Sequence, residues 1–240
     1  MRILVVASYP MEFPGILKHA TDPRKVKDAR KGNGALRWAR SARVGANELL
    51  LAANGTGRRH ASNAVDRALK MFPAEAVIST GFCGALRPEM EVADVVIGTA
   101  VVSGDQHYAT WPVSAPASLG RIHRGVICTV DHVVETAGEK RSLQAEGGAA
   151  VEMEAAGVAE RASAYGLPFS CVKAVTDLLA ETLTNDFNRA LREDGDFDTI
   201  VLLQGALRHP LVRIRELFRL RERCARAAGM LGEFFADLRF

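Results

Sequence analysis

Short continuous apolar runs that return along the chain, separated by helical or turn-rich segments, restrict its fold more than any other feature. RILVVA (2–7), AEAVISTG (74–81), DVVIGTAVV (94–102), GVICTV (125–130) and PFSCVKAVTD (168–177) have the length and composition of strands buried on both faces of a sheet. ALRWARSARV (35–44) and ELLLAANG (48–55) read as two strands turning at Gly45. Between strands, RRHASNAVDRALKMF (58–72) puts Ala61, Val65, Ala68, Leu69 and Phe72 on one helical face, and a further helix is expected over 155–165. Strands alternating with helices predict an α/β fold whose central sheet is covered on both faces. At 240 residues with 48% hydrophobic and 25% charged content, one domain over 1–240 is expected, with helical segments from about 198. SGDQHYATWPVSAPASLG (103–120) is the expected mobile loop.

Several classes are disfavoured. No apolar run reaches the roughly 18 residues of a membrane span, and MRILVVASYP lacks the longer apolar region and cleavage site of a signal peptide, so a cytoplasmic location is expected. A net charge of +3 is too small to argue for nucleic acid. Cys83, Cys128, Cys171 and Cys224 are widely spaced without a C-x-x-C pair, which signals neither a zinc site nor a disulfide framework. No Walker loop or complete G-x-G-x-x-G fingerprint is present, and no cofactor is expected. The positive charge concentrates in RHPLVRIRELFRLRERCAR (208–226), where seven arginines face Glu216 and Glu222 among Leu211, Ile214, Leu217, Phe218 and Leu220. Such a segment is either a basic amphipathic surface for an anionic membrane or partner, or a helix packed by its apolar stripe with arginines in solvent. The packed helix is the expectation.

Ligands of α/β folds bind beyond strand ends. There the chain places Glu12, NGTG (54–57), STGFCGAL (79–86), VEME (151–154) and Asp177. AVEMEAAGVAE (150–160) sets Glu152 and Glu154 around Met153 in an otherwise small, apolar stretch. Carboxylates seldom lie buried without partners, so the pair marks either a binding site or the N-terminus of a following helix. In NGTGRRHA, Gly55 and Gly57 open a helix beside Arg58, the pattern of an anion site.

Together these motifs resemble the nucleoside phosphorylase and nucleosidase superfamily, in particular methylthioadenosine/S-adenosylhomocysteine nucleosidases and futalosine hydrolases. VEMEAAGVAE followed by PFSCVKAVTD is similar to the family's V-E-M-E-A turn and its later R-A-[IV]-[ST]-D motif; AVISTGFCGALRPEMEVADVVIG is similar to its T-G-x-[AC]-G-[GA]-L segment. The resemblance implies a three-layer αβα sandwich around a twisted, mixed sheet and a homo-oligomer, with a dimer favoured. It implies that Glu154 accepts hydrogen bonds from ribose hydroxyls, that Met153 packs on the sugar, and that Asp177 protonates N7 of a purine while Glu12 orients the attacking water. Glu152, Gly81, Phe82, Val133 and Lys173 fall at the family's substrate-binding positions.

Phe82 stands where the family has a small residue, Lys173 where arginine is common, and Val133 where an aromatic residue stacks on adenine. His132 or Phe82 is left as a replacement for that stacking group. His107, Tyr108 and Trp111 either cover the 5′ side of a nucleoside or pack locally. The first loop, SYPMEF, lacks the glycine and arginine of a phosphate cradle, and Glu12 repels phosphate but suits water, so hydrolysis is expected. Phosphorolysis is the alternative, since Arg58 and Arg59 could contact phosphate and ALRHPLVRIRELFRL resembles the tails of hopanoid-associated members of the phosphorylase branch. A non-catalytic nucleoside-binding relative is the other alternative.

Overall fold

The computed structural model describes residues 1–28, 35–114, 116, 119–207 and 209–238. Strand β1 (Arg2–Ala7) lies between β4 (Asn47–Ala53) and β5 (Ala76–Ser79), parallel to both. β3 (Trp38–Val44) forms the expected antiparallel hairpin with β4, and β2 (Thr21–Lys25) edges it. Gly45 makes the hairpin turn at φ 56, a left-handed value that glycine adopts without steric cost.

The other half of the sheet holds β6 (Phe82–Ala85), β7 (Val95–Ser103), β8 (Gln106–Ala109), β9 (Ile122–Thr129), β10 (Gly148–Glu152) and β11 (Phe169–Asp177). The strand order is β2-β3-β4-β1-β5-β11-β6-β10-β9-β7-β8, with a further pairing of β11 to β7. β11 runs parallel to β5 through its first residues, antiparallel to β7 through Val172–Ala174 and parallel to β6 through its last. The far half of the sheet therefore curls until β7 meets β11.

Alternation along β1 shows how the sheet is covered. Leu4 and Val6 join a core with α2 (Arg58–Leu69) and α4 (Ala155–Ala164), while Ile3 and Val5 join a second core with α1 (Pro14–Lys18) and α7 (Pro210–Ala236). This is the expected three-layer arrangement around a mixed sheet. α3 (Ala137–Ala145) packs at the curled end against β10, and α5 (Phe187–Ala190) and α6 (Thr199–Leu207) precede α7.

Two expectations change. Within 103–120, Gln106–Ala109 is strand β8, hydrogen-bonded to the end of β7, while residues 115, 117 and 118 lie outside the described residues. The apolar side of the C-terminal helix is fully buried in its second half, through Ala227, Ala228, Leu231, Phe234 and Phe235; in the first half Leu220 reaches the cavity while Leu211, Val212 and Phe218 face solvent.

Candidate active site

A cavity of about 380 Å³ opens where β1, β4, β10 and β11 end. Four carboxylates, Glu12, Glu152, Glu154 and Asp177, line it together with Met153, Phe82 and Val133.

Glu12 is placed by local chain chemistry. After β1, Pro10 starts a single 3-10 turn (Pro10–Glu12) and Pro14 starts α1, each supplying a φ already suited to a helix start. The carboxylate of Glu12 closes that turn by accepting from the Tyr9 amide at 2.7 Å, and its other oxygen accepts from the Phe82 amide at 3.0 Å. It is buried, and burial raises its pKa above the ordinary value. Gly81, at φ 117, leaves the space: a Cβ there would come within 2.3 Å of Glu12 Oε1. The glycine expected to bind substrate thus shapes the seat of Glu12.

Glu152 and Glu154 divide the two roles that the sequence left open. β10 ends at Glu152, whose Oε2 accepts from the amides of Glu154 (2.9 Å) and Ala155 (2.8 Å) at the start of α4. Its Oε1 accepts from Thr129 Oγ1 at 2.5 Å, and Lys173 Nζ lies 2.8 Å away. Glu152 therefore serves the helix N-terminus at the edge of the cavity, with both oxygens engaged by protein partners. Glu154 instead reaches across to Gly57 and accepts from its amide at 2.8 Å. Burial, reinforced by Glu152 and opposed by Lys173, pushes the Glu154 carboxyl up to about 7.

Lys173 does not line the cavity. It is fully buried and also donates to the Thr80 carbonyl at 2.9 Å; burial disfavours its charge, but Glu152 and Glu154 raise its pKa. It neutralises the paired glutamates from behind, away from the cavity where contact with substrate was expected.

Asp177 ends β11 at a register shift against β6, and both Thr176 and Asp177 reach the cavity there. Thr176 Oγ1 donates to Asp177 Oδ1 at 3.1 Å. Oδ2 accepts from Lys140, a fully buried lysine of α3 that also donates to the carbonyls of Leu178 (2.9 Å) and Glu181 (3.3 Å). Lys140 is a residue that sequence reasoning missed.

The expected anion site is occupied by the protein itself. Gly57, at φ 103 immediately before α2, donates its amide to Glu154, while Arg58 pairs with Glu160 at 2.8 Å and hydrogen-bonds Tyr108. Gly55 donates to the Ser8 carbonyl and lies off the cavity, and Arg59 donates to the Glu193 carbonyl. His107, Tyr108 and Trp111 do not line the cavity; His132 does, with its ring between Asp131 and Glu139.

A family model described as the phosphorylase superfamily matches residues 2–117 and 113–202. The chain belongs to this superfamily. A 5′-methylthioadenosine/S-adenosylhomocysteine nucleosidase of Mycobacterium bovis is 26% identical, the match covering 68% of this chain and 83% of the relative. The fold is that of an S-adenosylhomocysteine nucleosidase from Streptococcus pyogenes solved with 5-methylthiotubericidin, at a TM-score of 0.69 and 22% identity over 100% of this chain and 98% of that one. A futalosine hydrolase of Helicobacter pylori matches at a TM-score of 0.59 and 19% identity, covering 73% and 89%.

On this superfamily scaffold the remaining wall comes from residues that the sequence did not mark as part of a site. Leu183, Phe187 and Phe197 close one side, and Leu220, Arg221 and Cys224 of α7 close another. The segment holding Phe187 and Phe197 is clasped to the first loops: Tyr9 Oη donates to the Gly195 carbonyl at 2.6 Å, and the Thr56 amide donates to the same oxygen at 2.8 Å. Two aromatics ten positions apart in a polar stretch have no periodicity to announce them.

Proposed function

We propose that this chain hydrolyses the N-glycosidic bond of a purine nucleoside: 5′-methylthioadenosine, S-adenosylhomocysteine, or a related adenosyl or futalosine-type compound. Superfamily membership and the named relatives support the reaction class. The observation that carries hydrolysis is the pairing of Glu154 with the Gly57 amide. The amide that leads into the helix N-terminus is taken by a carboxylate, and Glu12 adds another carboxylate in the same cavity. A phosphate dianion is opposed by these carboxylates wherever they are ionised, whereas a water molecule is held and polarised by them.

In the reaction, the bond from C1′ to the purine breaks and its electron pair passes to the base. Negative charge grows on the purine and positive charge on the ribose, so an acid at N7 and carboxylates near the sugar stabilise the transition state. Asp177 acts at N7, with Lys140 and Thr176 holding its carboxyl group. Water adds to C1′ and gives its proton to Glu12, whose raised pKa suits a general base. Glu154 accepts from ribose hydroxyls beside Met153, and Phe82 and Val133 flank the base.

Product analysis tests this reading. Cleavage of methylthioadenosine or S-adenosylhomocysteine is expected to proceed at a rate that added phosphate does not raise, giving the free sugar. Glu12→Ala abolishes it while an unreactive nucleoside analogue still binds. Strict phosphate dependence with a sugar 1-phosphate product overturns the hydrolase and favours phosphorolysis; an analogue that binds while no nucleoside is cleaved makes the chain a binding relative.

A further inference from the structure

The N-terminal half of α7 and the preceding α6 leave a surface that the cavity chemistry does not use. On α6, Ile200, Leu203 and Leu207 recur at helical spacing on one face and are 66%, 52% and 70% exposed. On α7, Leu211 and Phe218 continue the surface at 82% and 66% exposure. Large apolar side chains gathered in this way mark an interaction site, whereas scattered ones need no explanation.

The charge around them is mainly positive, with Arg215, Arg219 and Arg221 exposed against Glu222. Arg215 and Arg219 stand exposed on α7 among these side chains. Glu216, their neighbour in sequence, is turned inward: its carboxylate is buried and accepts from the amides of Thr184 and Asn185 and from Asn185 Nδ2. Its Oε1 still lies 4.0 Å from Arg219 Nη2, a loose pairing that offsets part of the Arg219 charge and leaves Arg215 facing solvent. No helix among the described residues is long and apolar enough to cross a membrane, so this surface can lie on a bilayer but not span it.

From this geometry we infer that the exposed face of α6 and of the first half of α7 docks on an anionic membrane surface. Apolar side chains enter the boundary between headgroups and acyl chains, and guanidinium groups bind lipid phosphates above it. A second copy of the chain is the weaker occupant. A two-fold contact sets a patch against itself, which here brings Arg215 and Arg219 toward their own copies. The face adjoins the cavity wall formed by Leu220, Arg221 and Cys224, but none of the five apolar residues or the two arginines lines the cavity. The inference therefore stands apart from the proposed reaction.

Vesicle flotation tests it with the full chain. The protein is expected to float with phosphatidylglycerol-containing vesicles, to stay behind with pure phosphatidylcholine, and to be released by high salt. Arg215→Glu with Arg219→Glu, and separately Leu203→Ser with Leu207→Ser and Phe218→Ser, should each lower the bound fraction by about tenfold or more. Both variants should keep the parent's far-ultraviolet circular dichroism, and its nucleoside cleavage where the parent has any. Three results overturn the inference: no flotation at any phosphatidylglycerol content, equal flotation on neutral vesicles that ignores the arginine reversal, or a vesicle-free dimer that dissociates in the serine variant.

Discussion

Glu12, Glu154 and Asp177 are the same kind of side chain in three different settings, and the settings assign their work. Glu12 is held by two backbone amides and Glu154 by one, whereas Asp177 is held by a hydroxyl and a buried ammonium. If Asp177 delivers a proton to the departing purine, Asp177→Asn should lower nucleoside turnover by about 10² or more and leave analogue binding in place. Lys140 acts through Asp177, so Lys140→Met should slow purine release by about tenfold. A nitrophenyl riboside, whose leaving group departs as a stable anion, separates this role from a structural one. Its cleavage should stay near the parental rate in both variants, while an equal loss on both substrates for Lys140→Met would reduce the ion pair to a support for the fold. Asp177 could be read from its motif; Lys140 could not, because it lies 37 positions earlier in a helix without a motif.

Among the elements, α7 connects packing to the cavity. Its crossing with α1 depends on missing side chains: a Cβ at Gly15 would come 1.9 Å from the Ala228 carbonyl oxygen, and one at Gly232 would come 2.3 Å from the Gly15 carbonyl carbon. Gly15→Ala must push the two helices apart and should destabilise the protein by about 3 kcal/mol, read as a lower denaturant midpoint at unchanged slope. Since α7 supplies one cavity wall and α1 follows Glu12 directly, KM for the nucleoside should rise as well. Gly229→Ala is the control: nothing lies within 4 Å of its built Cβ, and it should leave the stability unchanged or raise it by up to about 1 kcal/mol. The sequence pattern indicates that helices close the chain. It does not indicate that only the second half of α7 is buried, because leucines and arginines alternate through a segment whose exposure depends on what stands opposite.

For the whole molecule, the buried carboxylates tie stability to pH. Burial raises Glu154 from 4.5 to about 7, and Glu12 is raised in the same sense. Between 4.5 and about 7 the folded chain retains a proton on Glu154 that the unfolded chain has released. This contribution is fully present below the lower value and is lost as pH rises through the upper one. The urea midpoint should therefore fall between about pH 5 and pH 8, and Glu154→Gln, which has no proton to release, should flatten that fall. A slope identical to the parent's would mean that Glu154 titrates as an ordinary glutamate.

The sequence by itself determined the alternation of strands and helices, the strand ends that carry unusual residues, and the carboxylates that gather in the cavity. Those follow from periodicity and residue type, which are local properties of a chain. Only the tertiary structure decided the pairings. Gly57 meets Glu154 across 97 positions, Glu152 serves a helix N-terminus at the cavity edge, Lys173 retreats behind the site, and Phe187 and Phe197 fold over it. Desolvation and hydrogen bonding depend on distances in space, and a curled sheet sets those distances between residues that no local pattern connects.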